Sequence, residues 1–144
     1  MTGAEFRLKR RTLGLSIEEF AERLKVNLRT VRRWENGEWE IPPNAIAFLD
    51  NLWQKNIEKA NIVLDRLDSI ATEQGKDPET VVLHTYRTRK GHYEADPGQT
   101  WSEHTSAIGI IAIALELYGY PFTVEYVENP ELTREDEGEH PCGN

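Results

Sequence analysis

Arg29, Arg32 and Arg33 lie in a short segment, 28–34, whose apolar members are Leu28, Val31 and Trp34. If the segment is helical, Leu28, Arg29, Arg32 and Arg33 fall on the side away from Val31 and Trp34, which sit at i and i+3. One face then anchors the helix and the other presents guanidinium groups. An α-helix fits the major groove of B-form DNA, and the planar fork of arginine matches O6 and N7 of guanine. The surface of residues 28–33, Thr30 included, is therefore a candidate reader of base edges. Other chemistries find less support. His84, His92, His104 and His140 fall in no His-Glu-x-x-His or Cys-x-x-Cys pattern, and His140 and Cys142 offer too few ligands for a closed metal site. No Gly-x-Ser-x-Gly elbow or glycine-rich phosphate loop occurs, and Cys142 has no evident base. Trp101, Tyr118, Tyr120 and Phe122 read as core aromatics. The residues thus predict no catalytic site, no metal and no cofactor.

Positioning the arginines requires a small scaffold, and local signals for it are strong. A first helix is predicted over about residues 4–12, with Phe6 and Leu13 inward and Arg7, Lys9 and Arg11 largely outside. Gly14 suits the left-handed residue that ends a helix. Ser16 with Glu19 forms a capping box, and Ile17, Phe20, Ala21 and Leu24 make one apolar stripe at i, i+3, i+4 and i+7. Three connecting residues follow, Lys25 to Asn27, the last a good N-cap for the arginine helix, which Asn36-Gly37 stops.

Charge distribution points the same way. The whole chain of 144 residues carries a net charge of -8, which argues against a polyanionic partner. Residues 1–34, however, hold nine Lys/Arg against four Glu, a net of +5, while residues 35–144 hold eight against twenty-one Asp/Glu, a net of -13. A basic head on an acidic body lets a polyanion dock on the head alone. The lone cysteine excludes a disulfide scaffold, and the absence of a long apolar run excludes a spanning helix. Both fit a soluble cytoplasmic protein with no membrane partner.

Residues 6–41 resemble the helix-turn-helix of the lambda repressor and Cro family, also called the Xre family. The matching residues are Arg10, Leu13-Gly14-Leu15-Ser16, Glu18-Glu19-Phe20-Ala21, Leu24, Val26, and Val31 through Trp34-Glu35-Asn36-Gly37. The resemblance implies double-stranded DNA as partner and an ion pair between Arg10 and Glu35 tying the first helix to the third. It implies base reading by Leu28, Arg29 and Arg33. Phosphate contacts would come from Asn27, Arg32, Asn36 and the backbone amides at Ser16 and Ile17. Two positions depart from the family. Lys25 stands where glycine is common, costing about 1 kcal/mol if φ is positive there. Ile17 stands where glutamine is frequent, which removes a phosphate-binding amide.

Beyond the head, Pro42-Pro43 opens a long helix, about 43–73, whose apolar stripe is broad enough to need cover on more than one side. Residues 80–88 read as a strand and 89–98 as a polar loop. Thr100 with Glu103 caps a helix to about 118 that is apolar almost all round and so expected to be central and buried; 122–127 read as a second strand. A fainter likeness of the whole chain is to YdiL-like regulators, including anti-CRISPR-associated autorepressors, whose C-terminal part forms a homodimer. The expected fold is mostly α: a helix-turn-helix domain (1–41), an α+β dimerisation region (42–127) and an acidic flexible tail (128–144). The expected function is a homodimeric, sequence-specific regulator, a repressor or autorepressor, on an inverted repeat. The alternatives are an antitoxin using the same helix-turn-helix, or a small enzyme or ligand sensor built on residues 76–127.

Overall fold

The computed structural model describes residues 1–95 and 98–127; the expected tail, with His140 and Cys142, lies outside them. The fold is mostly helical: α1 (Gly3–Thr12), α2 (Ile17–Leu24), α3 (Leu28–Glu35), α4 (Pro43–Gln74), β1 (Val81–Thr85), α5 (Arg89–Ala95), α6 (Trp101–Leu117) and β2 (Phe122–Tyr126). Two compact units divide within α4, one Met1–Asp65 and the other beginning at Arg66.

In the first unit, capping boxes start two helices. Thr2 and Glu5 exchange side chain and backbone bonds at α1, as Ser16 and Glu19 do at α2. Gly14 (φ 76°) and Gly37 (φ 75°) take the left-handed turns that follow α1 and α3. Lys25 takes φ 55° between α2 and α3, a conformation disfavoured for a residue with a side chain. The helices close on Phe6, Phe20 and Val31, all fully buried, with Leu13, Leu15 and Trp34 around them. Phe6 meets Phe20 edge-on at 5.2 Å and Trp34 at 6.1 Å, while Phe20 meets Phe48 at 5.4 Å. The core runs past residue 41, because Ala45 and Leu49 from the first turns of α4 belong to it. Gly3 lets α1 approach the end of α3, since a Cβ there would collide with the carbonyl oxygens of Trp34 and Glu35.

In the second unit β1 and β2 pair in parallel, from Val81 opposite Phe122 to Thr85 opposite Tyr126. Parallel strands need a crossover, and the segment containing α5 and α6 supplies it. Two expectations are corrected here. The polar loop of 89–98 contains α5. Thr88 begins it, accepting from the Gly91 amide on its hydroxyl (3.1 Å) and from the His92 amide on its carbonyl (3.2 Å). Its buried anchor is the imidazole of His92, 1% exposed and 5.1 Å from the rings of both Tyr86 and His104. A helix held by an imidazole shows no aliphatic periodicity. Secondly, α6 is not enclosed. Ala107 and Leu115 are buried, yet Ile113 is 64% and Leu117 79% exposed. A two-stranded sheet is too narrow to cover a helix that is apolar all round. Tyr118, read as core, is likewise exposed.

Candidate nucleic-acid interface

The candidate reader, α3, starts at Asn27, whose side chain oxygen accepts from the Arg29 amide at 2.8 Å. Val31, Trp34 and Glu35 are buried, while Arg29, Arg32 and Arg33 are exposed. Among the described residues no carboxylate pairs with any of these three arginines. The helix therefore carries three uncompensated positive charges on one side and a close-packed face on the other. Leu28 lies at the margin, half-buried and packed against the core, and Thr30 is half-buried beside it. The face open to a partner is thus mainly guanidinium.

What holds α3 in place is partly ionic. Arg10 donates through Nε to Glu35 Oε1 (2.5 Å) and through Nη2 to Oε2 (3.2 Å), and its Nη1 bonds the Leu15 carbonyl at 2.6 Å. Both side chains are almost wholly shielded from water. The more exposed Arg7 approaches Glu35 Oε2 at 3.5 Å. Burying two charges is unfavourable unless the geometry is good and the remaining donors are satisfied, and here the pair is bidentate with a third bond to backbone. It ties α1 to the last turn of α3, so the arginine face is held rigidly against the bundle. On α1, Lys9 bonds Asp50 at 2.7 Å and lies 5.5 Å from the Trp53 ring centre, joining α1 to α4.

The flanking residues divide. Asn27 and Asn36 are exposed at the two ends of α3, with Asn36 Nδ2 3.3 Å from a Glu38 carboxylate oxygen. At the start of α2, the Ser16 amide already donates to Glu19 Oε2 at 2.8 Å as part of the capping box. The Ile17 amide, one residue on, belongs to the first turn of α2, whose amides have no carbonyl partner within their own helix. Sequence reasoning overlooked Trp39. Its ring centre lies 4.4 Å from the Arg33 guanidinium carbon, and it is half exposed.

Residues 6–47 match the family model described as Helix-turn-helix. They form a helix-turn-helix domain of the lambda repressor type. That assignment makes the chain a DNA-binding protein of transcriptional regulation. No curated protein matches the chain. The match spans α1, α2 and α3 and enters α4, the same elements that share the first core.

Outside this domain, the rings of His92 and His104 lie against Tyr86. His104 Nε2 lies 3.3 Å from the His84 carbonyl, and the buried His92 Nε2 has no hydrogen-bond partner among the described residues. Among the described residues no three of His, Cys, Asp and Glu converge as metal ligands, and no helix is long and apolar enough to cross a membrane.

Proposed function

We propose that this protein is a transcriptional repressor that acts as a homodimer on an inverted repeat. α3 lies in the major groove, where Arg29 and Arg33 bond base edges and Leu28 and Thr30 fill the margin of the contact. Arg32, Asn27, Asn36 and the α2 start at Ser16 and Ile17 hold the phosphates. The observation that carries this reading is the uncompensated guanidinium face of α3, backed by Val31, Trp34 and the buried Glu35. The basic first 34 residues favour docking there, and the acidic remainder repels the same polyanion.

A second copy of the chain is the proposed occupant of the uncovered apolar surface in the second unit. Gly109, Ile113 and Leu117 are exposed at i, i+4 and i+8 on α6, with the exposed Glu116 as the charged group beside that stripe. Val124 and Tyr126 of β2 are about half exposed. A single short reading helix has limited discrimination. A two-fold pair doubles the contacts and sets half-sites about 34 Å apart.

Selecting bound duplexes from a random pool at near-physiological salt tests both parts, and an inverted repeat among the winners is the expected result. On that site Arg29→Ala or Arg33→Ala lowers affinity by about 1–3 kcal/mol and relaxes preference at one position. Arg32→Ala weakens all sequences alike and reduces the salt slope by about one. Unchanged affinity in both Arg29→Ala and Arg33→Ala rules out α3 as the reader.

A further inference from the structure

We propose that Trp39 is a positioning residue for Arg33, holding that guanidinium ready to read one base pair; the inference rests on the groove-reading role of α3. Two independent features tie these residues together. Gly37 (φ 75°) turns the chain at the end of α3, and the amides of Glu38 and Trp39 then both donate to the Arg33 carbonyl, at 2.9 and 3.3 Å. The backbone of Trp39 is thereby pinned to the backbone of Arg33. From there the indole returns along the helix, and the Arg33 guanidinium carbon stands 4.4 Å from its ring centre. Arg33 is thus fastened to the same residue at both ends.

Trp39 contributes little to the fold. It lies outside the buried cluster of the first unit and leaves half its surface to solvent, whereas Ile41, two residues on, is buried. Among the described residues neither Arg29 nor Arg32 has an aromatic partner of this kind. The three arginines are therefore unequal.

The consequence follows from the shape of arginine. Its side chain is long and populates many rotamers, so bidentate bonding to a base requires freedom to be given up on binding. Tryptophan is the strongest cation–π partner among the side chains, and contact with its ring restricts the guanidinium before DNA arrives. The N–H donors of arginine point outward in the guanidinium plane, so an aromatic contact and a bidentate bond to guanine are compatible. Arg33 should then discriminate its base more sharply than Arg29, which has no such support.

The test uses the full chain, the duplex selected from the random pool, and a set of that duplex with each base pair changed in turn. Arg33→Ala identifies the position that Arg33 reads. Trp39→Ala is expected to lose roughly two- to five-fold of the discrimination at that position alone, with the salt slope and the Arg29-dependent position unchanged. Trp39→Phe should retain most of it. In an Arg33→Ala background, Trp39→Ala should have no further effect, because the two side chains act as one unit. Melting of Trp39→Ala separates a folding defect from a recognition defect, since lost folding weakens every duplex equally. An even loss across all base pairs, additivity with Arg33→Ala, or tighter binding by Trp39→Ala each overturns the proposal. Should Arg33→Ala show no position-specific loss while Arg29→Ala does, the role of Arg33 as a reader fails, and that of Trp39 with it.

Discussion

The two units bury their apolar residues to different degrees, although both are built from capped helices. In the first, Phe6, Phe20, Val31, Ala45 and Leu49 are wholly enclosed, and the exposed face of α3 is polar. In the second, the buried apolar residues are few, while Val82, Ile113, Leu117, Tyr118, Val124 and Tyr126 remain exposed. The first unit has a closed core of its own and offers charge to a partner. The second offers apolar surface, which is how a chain behaves when part of its cover comes from another molecule.

The contrast can be broken from either side. The largest expected effect lies in the first unit. Glu35→Ala strands the buried Arg10 without its carboxylate, and unfolding in urea should show a loss of about 3–5 kcal/mol. A change below about 1 kcal/mol, the range of surface pairs, would mean that the pair is not what fixes α3. In the second unit, Leu117→Glu places a charge in the exposed stripe of α6. If a second copy covers that stripe, sedimentation should show self-association weakened by about 2 kcal/mol or more, with DNA affinity falling in step. A monomer already present in the unaltered chain would refute self-association.

Smaller effects sharpen the comparison. Lys25→Gly removes the side chain from a left-handed position and should stabilise the first unit by about 0.5–1 kcal/mol, read as a higher midpoint in urea. No gain there would mean that lysine sits at φ 55° without strain. The smallest expected effect concerns Tyr120, which donates to Asp68 within the second unit. That hydrogen bond, followed by desolvation and the nearby carboxylates of Asp68 and Asp77, raises the phenol above its ordinary value. Because the folded value is the higher one, the link stabilises the unit at neutral pH and up to the unfolded value near about 10. It is lost as pH climbs through the folded value. Tyr120→Phe should lower melting slightly at neutral pH and flatten the alkaline limb, so that the two profiles converge as pH climbs through the folded value.

Local signals made most of the first unit legible. Ser16 and Glu19 are three residues apart, as are Thr100 and Glu103, and both pairs form capping boxes. Asn27 caps α3, and Gly14 and Gly37 take their left-handed turns, as bonds closing over three or four residues allow. The box of Thr2 and Glu5 is equally local, but its cap lies ahead of the helix expected from about residue 4. α5 was missed for a different reason. Its anchor, His92, counts as polar in any hydropathy pattern, and the rings of Tyr86 and His104 make that site its own.

What the amino-acid order determined unaided was therefore short in range: where helices begin and stop, which face of α3 is apolar, and which side carries the guanidinium groups. These follow from side chains meeting backbone groups a turn away. Only the tertiary structure decided that Glu35 is enclosed with Arg10, that Trp39 lies against Arg33, that β1 and β2 run parallel, and that one side of α6 stays uncovered. Each of these depends on how distant segments meet or how a turn aims a side chain, and residue spacing along the chain does not encode that direction.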